Sequence, residues 1–142
     1  MSVSPANPAI VRRHVLLVVA ESPSAKVGLL EREGWTVRAF RSSEAALHAF
    51  NIESHFDAVV TDRAPLGAPG LMLLASLRER GFTGPAILLV EGITKSESAE
   101  AERLGVTRIL HKPFSHDSLL LALRETLSPS ETHNQNQNEN QT

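Results

Sequence analysis

Hydrophobic and polar positions follow two patterns that alternate along the chain. Short, nearly continuous hydrophobic runs are typical of strands that are covered on both faces of a sheet. Between these runs, hydrophobic residues recur every three or four positions, as in helices that pack one face against a core. The first pattern predicts five strands, at residues 14–19, 36–40, 56–61, 86–90 and 107–110.

The second pattern predicts five helices, each of which follows one of the strands. Ser43 and Ser115 are placed to cap the second and fifth helices, and Thr94 with Glu97 has the spacing of a capping box for the fourth. Glycines follow the first, third and fourth helices, where they favour a stop. The predicted helices span residues 24–33, 43–50, 71–80, 94–104 and 115–127.

This order, strand then helix repeated five times, predicts an α/β fold. Because crossovers between parallel strands are right-handed, the repeat gives a parallel sheet with helices on both faces. In such sheets the ligand chemistry gathers at the carboxyl ends of the strands, near the point where the strand order reverses. The residues that follow each strand are therefore the candidates for a functional site.

Charged residues follow several of these strands. Glu21 comes after strand 1, Asp62 ends strand 3, and Lys112 follows strand 5. If strands 1, 3 and 5 are neighbours at one point of the sheet, these three side chains converge on one pocket. Two carboxylates and an ammonium group suit Mg²⁺ together with a phosphoryl group, and a carboxylate can itself become an acyl phosphate.

The segment from residue 14 to residue 127 resembles the receiver domain of bacterial two-component response regulators. Four features carry the resemblance: the acidic turn at Glu21, Asp62 with Gly70 eight residues later, the Lys-Pro-Phe sequence at 112–114, and the spacing between them. The resemblance implies a flavodoxin-like fold with strand order 2-1-3-4-5. It also implies a signalling domain with no enzyme activity beyond Mg²⁺-dependent self-phosphorylation and dephosphorylation.

The resemblance also implies a role for each site residue. Asp62 would accept a phosphoryl group from the phosphohistidine of a histidine kinase or histidine phosphotransferase, and Lys112 would contact that group. The ligands of Mg²⁺ would be Glu21, Asp62 and the backbone carbonyl of Ala64. The peptide bond before Pro113 would be cis.

Four positions depart from the pattern of the family. Ala20 replaces one of two acidic residues after strand 1, and the loss of such a group typically lowers metal affinity by about 10–100-fold. Val90 stands where Thr or Ser usually bonds the phosphoryl group, and Ile109 replaces the usual switching aromatic residue. Glu91 stands where the family mostly has a small residue; its carboxylate could repel phosphate, reach the metal or face solvent.

Composition limits the other functions. The chain has 142 residues, a net charge of −2 and no cysteine, so disulfides and thiolate metal sites are excluded. No signal peptide or membrane-length run is present, so we expect a cytoplasmic protein that binds neither nucleic acid nor membrane. We expect a receiver domain at 13–128 between a flexible tail at 1–12 and a disordered, Asn/Gln-rich tail at 129–142.

Three functional hypotheses remain open from the sequence. The first is a stand-alone receiver that signals through the face formed by helix 4, strand 5 and helix 5, with a homodimer as one arrangement. The second is a degenerate receiver that binds its partner without phosphorylation; Ala20, Val90 and Ile109 favour it. The third is a small-molecule binder of the same sheet order, such as a flavin protein, for which Ser22 and Ser24 offer only thin support.

Overall fold

The computed structural model describes residues 14–53 and 55–127, and the two predicted tails lie outside these residues. The strands are β1 (His14–Val18), β2 (Thr36–Phe40), β3 (Ala58–Asp62), β4 (Ala86–Val90) and β5 (Val106–His111). The helices are α1 (Ser24–Arg32), α2 (Ser43–Ile52), α3 (Gly70–Glu79), α4 (Lys95–Arg103) and α5 (His116–Leu127). None of the helices in the described part of the chain combines the length and apolar composition needed to cross a bilayer.

The five strands form one parallel sheet in the order β2-β1-β3-β4-β5, which confirms the predicted fold and strand order. β1, β3 and β4 lie inside the sheet, and nearly every residue of these strands is buried. β2 and β5 are the edge strands and are more exposed. The strand order reverses between β1 and β3, so the carboxyl ends of these two strands are neighbours.

Two hydrophobic layers cover the sheet because alternate strand residues point to opposite faces. In β1, Val15 and Leu17 face one layer, while Leu16 and Val18 face the other. The first layer receives the buried residues of α1 and α5, and the second receives those of α2 and α3. Double coverage explains why β1 and β4 are hydrophobic without alternation.

The helix caps follow the predictions at two of three positions. Thr94 and Glu97 form the full capping box of α4, and the hydroxyl of Ser115 accepts a bond of 3.0 Å from the backbone N–H of Ser118. The prediction for Ser43 was wrong. Ser42 caps α2, and Ser43 is the buried first residue of the helix. The sequence could not indicate which of the two adjacent serines caps α2, since the hydroxyl of either can cap a helix.

Gly70, the first residue of α3, packs directly against the end of β3. A Cβ atom at this position would lie 2.1 Å from the backbone oxygen of Asp62 and 3.3 Å from the hydroxyl of Thr61. The backbone N–H of Gly70 also donates to the oxygen of Arg63 at 2.8 Å. Only glycine allows this close approach of helix and strand. The contact gives a physical reason for a glycine eight residues after Asp62.

Arg78, near the end of α3, contacts the segments that precede β4 and β5, at the end of the sheet away from Asp62. Its guanidinium donates to four backbone oxygens, those of Leu104 (2.9 Å), Phe82 (3.1 Å), Gly84 (2.8 Å) and Gly105 (3.3 Å). The group also lies over the ring of Phe82, 5.1 Å from its centroid. Burial lowers the pKa of Arg78 from its usual range. One side chain thus connects the loop before β4 with the loop before β5.

Replacement of Gly70 by alanine is expected to destabilise the fold. The added Cβ collides with the backbone of β3, and such overpacking typically costs about 1–3 kcal/mol. Urea denaturation followed by circular dichroism measures the free energy of unfolding. Gly28→Ala is the matched control, because a Cβ at that position in α1 meets nothing within 4 Å. This control should be neutral or stabilising by up to about 1 kcal/mol, and equal effects at the two positions would contradict the argument.

Arg78→Ala is expected to lower the free energy of unfolding by about 2–4 kcal/mol. The change removes a charged donor from four backbone oxygens. A well-shielded hydrogen bond to a charged group contributes about 1.5–3 kcal/mol, but Arg78 is only partly buried, so the sum over its bonds is reduced by solvent. Urea denaturation followed by circular dichroism again measures the free energy of unfolding. Arg103→Ala provides the control, since its exposed ion pair with Glu100 is expected to contribute about 1 kcal/mol or less. If Arg78→Ala lowers the free energy of unfolding no more than Arg103→Ala does, the stabilising role of the Arg78 hydrogen bonds would be refuted.

Candidate functional site

Asp62 is the last residue of β3, and its carboxylate is held from two sides. The residue is 3% exposed. Its Oδ2 accepts a hydrogen bond of 2.7 Å from the backbone N–H of Ala20, and its Oδ1 lies 2.9 Å from the Nζ of Lys112. A buried carboxylate is costly unless it is paired, and here β1 and β5 supply the two partners. The side chain is thereby fixed in the orientation that it needs at the edge of the sheet.

Lys112 follows β5 and is positioned by its backbone. Its N–H donates to the oxygen of Val90 at 2.7 Å, which extends the ladder between β4 and β5 by one bond. The peptide bond between Lys112 and Pro113 is cis, the geometry that the resemblance implies. The lysine side chain is 27% exposed, so its ammonium group contacts both Asp62 and solvent.

The loop between β3 and α3 is fastened to the loop between β2 and α2. The N–H of Leu66 donates to the oxygen of Arg41 at 3.0 Å, and the N–H of Ser43 donates to the oxygen of Leu66 at 2.9 Å. The buried hydroxyl of Ser43 donates to the oxygen of Ala68 at 2.6 Å. Gly67 has a φ of 88°, which the turn requires and which glycine adopts readily. The segment that follows Asp62 is therefore held in one conformation.

Two adjoining clefts open at Asp62. The larger has a volume of about 440 Å³ and the smaller of about 150 Å³. Both are lined by Glu21, Asp62, Glu91 and Lys112. The larger cleft is completed by Val19, Lys26, Pro113, Phe114 and His116, and the smaller by Ala20, Arg63, Ala64 and Leu89. The structure thus brings Glu21, Asp62 and Lys112 together at one site.

The oxygen atoms around the smaller cleft suit a hard cation such as Mg²⁺. Oδ1 of Asp62 is buried and forms an ion pair with the ammonium group of Lys112 at 2.9 Å. Glu21 is exposed, and Ala64 lines the same cleft. Within the described ranges, no three His, Cys, Asp or Glu side chains are arranged to hold a metal. A cation here would depend on two carboxylates, a backbone carbonyl and water.

Val90 and Ile109 are packing residues in this structure. Val90 is 1% exposed at the end of β4, and Ile109 is partly buried in β5, where it pairs with Leu88. Neither belongs to the residues described as lining the two clefts. Valine and isoleucine fill these positions well in a sheet, but neither carries a hydroxyl group that could bond a phosphoryl oxygen.

An ion pair between Arg63 and Glu97 was not anticipated from the sequence. Nη2 of Arg63 lies 2.9 Å from one carboxylate oxygen of Glu97, and Nε donates to both oxygens at 3.1 and 3.2 Å. The hydrogen bond and charge of Glu97 raise the pKa of Arg63, and the hydrogen bond from Arg63 lowers the pKa of Glu97. The two residues are 34 positions apart, and no sequence pattern connects them.

The chain is similar in sequence to a known protein family and to individual members of it. The family model for the response regulator receiver domain matches residues 22–124. The chain is 32% identical over 102 residues to the transcriptional regulatory protein FixJ of Azorhizobium caulinodans, covering 72% of this chain and 48% of that protein. It is 33% identical over 113 residues to the transcriptional regulatory protein TdiR of Thauera aromatica, covering 80% and 49%. The chain spans about half the length of both relatives, so the stand-alone arrangement stays a prediction.

Solved structures share the fold. The non-phosphorylated HemR receiver domain of Leptospira biflexa superposes with a TM-score of 0.77 at 21% identity, over 86% of this chain and 99% of that one. A response regulator protein of Burkholderia pseudomallei, solved with a phosphorylated aspartic acid, a calcium ion and citrate, gives 0.70 at 24% identity, over 82% and 69%. With the family model matching most of the chain and the strand order 2-1-3-4-5 observed, this chain belongs to the response regulator receiver domain family.

Proposed function

We propose that Asp62 accepts a phosphoryl group from a histidine kinase or a histidine phosphotransferase. The observation that carries this proposal is the position of the Asp62 carboxylate, which is buried, oriented by the N–H of Ala20 and paired with Lys112 at 2.9 Å, yet opens onto a cleft. A nucleophile needs this combination of fixed orientation and access. The structure of the Burkholderia pseudomallei response regulator with a phosphorylated aspartic acid supports the same chemistry in a protein of this fold.

In the proposed reaction, a carboxylate oxygen of Asp62 attacks the phosphorus atom of a phosphohistidine. A new P–O bond forms, the P–N bond breaks, and its electron pair returns to the imidazole of the donor, so that an acyl phosphate remains on Asp62. The ammonium group of Lys112 stands beside the acceptor and offsets the negative charge that arrives with the phosphoryl group. The N–H of Ala20 keeps the carboxylate oriented throughout.

Glu21, Asp62 and the backbone carbonyl of Ala64 would hold Mg²⁺, which neutralises negative charge on phosphoryl oxygens when it is bound. Ala20 leaves this set with one carboxylate fewer than the family pattern, so we propose weak metal binding. Glu91 lines both clefts and adds negative charge near the same position. The remaining donors still form an all-oxygen set.

We further propose that the signal leaves through protein contacts at the face formed by α4, β5 and α5. β5 is an edge strand, and Thr107 and Arg108 are exposed on it. A partner or a second copy of the domain would bind there. The competing proposal is an interaction module that works without phosphorylation, which the buried Val90 and the partly buried Ile109 favour, because neither can bond a phosphoryl group.

Phosphorylation is tested by intact mass spectrometry after incubation with Mg²⁺ and acetyl phosphate, and after incubation with a panel of phosphorylated histidine phosphotransferases. The expected result is a gain of one phosphoryl group in the wild type and none in Asp62→Asn, which has the same shape but lacks the nucleophilic carboxylate. If no donor modifies the wild type at saturating Mg²⁺, the acceptor role is wrong and the phosphorylation-independent module takes its place.

Ala20→Asp is expected to raise the affinity for Mg²⁺ by about 10–100-fold, because it returns a carboxylate to the metal site. The Mg²⁺ dependence of the phosphorylation rate measures this affinity. The control is Ala20→Asn, which adds a side chain of the same size without charge. In both variants the backbone N–H of residue 20 remains available to Asp62. An equal gain in the two variants, or none in Ala20→Asp, would contradict the metal assignment.

A further inference from the structure

Arg63 lies between the phosphorylation site and the first turn of α4. It is the residue immediately after Asp62, and it lines the smaller cleft together with Asp62 and Lys112. Its guanidinium reaches across to Glu97, with three contacts between 2.9 and 3.2 Å. The same residue therefore borders the acceptor and contacts a helix of the face that we propose for signalling.

Glu97 has a second role besides its pair with Arg63. Its Oε1 accepts a hydrogen bond of 3.0 Å from the backbone N–H of Thr94, and its own N–H donates to the hydroxyl of Thr94 at 3.0 Å. These two bonds are the capping box that begins α4. A change in the contact between Arg63 and Glu97 would thus act directly on the first turn of α4.

We propose that Arg63 transmits phosphorylation of Asp62 to α4 by exchanging the carboxylate of Glu97 for the phosphoryl oxygens. This inference rests on the proposed function, since it requires a phosphoryl group on Asp62. It assigns Arg63 as a positioning residue that responds to the acceptor, a role separate from those of Lys112 and Glu21.

Charge and geometry both favour the exchange. A phosphoryl group carries about −1.5 to −2 charges near neutral pH and offers three strong acceptors, whereas the carboxylate of Glu97 carries one charge. The planar fork of an arginine binds either group in a bidentate manner. The existing pair is partly exposed, at 42% for the side chain of Arg63 and 28% for that of Glu97. Pairs of this kind are weak, so little is lost when the arginine leaves.

The backbone of Arg63 is held, so the exchange needs only a rotation of its side chain. Its N–H donates to the oxygen of Leu89 at 2.8 Å, and its oxygen accepts from the N–H of Gly70 at 2.8 Å. Glu91 lines the same cleft as Arg63, so the cleft already holds another carboxylate besides Asp62.

The exchange provides a contact that differs between the phosphorylated and the unphosphorylated state, which the side chains of Val90 and Ile109 cannot provide. A ligand or modification shifts a conformational equilibrium only through contacts that differ between the two states. Without a hydroxyl group at position 90, the phosphoryl group has no such contact at the end of β4. The contact with Arg63 exists only when Asp62 is phosphorylated, and its formation removes the contact with Glu97.

The first readout is the titration of the Glu97 side-chain carboxyl group, followed by NMR in the wild type before and after phosphorylation. Before phosphorylation, the bond from Arg63 holds the pKa of Glu97 below its usual range. Afterwards, the pKa should rise, because the arginine has moved away. In Arg63→Gln the pKa should be raised from the start and should not rise further on phosphorylation. Arg63→Lys, which keeps the charge but not the fork, should respond more weakly than the wild type.

The second readout is hydrogen exchange at the backbone amides of Glu97 and Ser98, which are protected by bonds to Thr94. Phosphorylation of the wild type should speed this exchange by about two- to five-fold, the factor that a weak, exposed ion pair contributes. Glu97→Gln is the matched variant, since glutamine can keep the capping box while it loses the charge that attracts Arg63. This variant should exchange equally fast with and without the phosphoryl group.

Intact mass spectrometry on the same samples separates the two ways of failing. If Asp62 is phosphorylated while the titration of Glu97 and the exchange of α4 stay unchanged, the role of Arg63 is overturned and the acceptor function stands. If no donor modifies Asp62, the proposed function fails and the coupling through Arg63 falls with it. A rise in the pKa of Glu97 that persists in Arg63→Gln would also overturn the inference, since the arginine would not be its cause.

Discussion

The pairing of the Asp62 carboxylate is the interaction on which the rest of the site depends. A carboxylate with 3% exposure is stable only when its charge is compensated. The compensation comes from the N–H of Ala20 after β1 and from the ammonium of Lys112 after β5. Ala20 reaches Asp62 because the strand order places the carboxyl ends of β1 and β3 side by side, whereas the side chain of Lys112 reaches it from the end of β5, with β4 between the two strands. The order of the strands therefore determines which groups can compensate the charge of Asp62.

Around this carboxylate, the fold is held at several independent points. Gly70 lets α3 approach the end of β3 more closely than any other residue would allow, and the loop between them is fastened through Leu66 and Ser43. At the opposite end of the sheet, Arg78 donates to four backbone oxygens in the segments before β4 and β5. These contacts fix the surroundings of the Asp62 carboxylate.

Asp62, Lys112 and Glu21 lie together at the site, and we propose that they accept a phosphoryl group. Val90 and Ile109 contribute packing to the sheet. Arg63 lines the smaller cleft beside Asp62 and pairs with Glu97 in the first turn of α4, and we propose that a phosphoryl group on Asp62 would perturb this pair. A partly exposed ion pair of this kind is weak, so little free energy opposes its exchange for another partner.

The sequence alone determined the order of the elements, the parallel sheet and the residues at the strand ends. These follow from hydrophobic periodicity and from the position of Asp62 and Lys112 directly after buried strands, both of which are local properties. The tertiary structure decided the contacts between distant segments: which of two adjacent serines caps α2, which backbone oxygens Arg78 binds, and the pairing of Arg63 with Glu97. Long, charged side chains have many rotamers and many partners within reach, so their contacts depend on how the helices pack and cannot be derived from a pattern of neighbours along the chain.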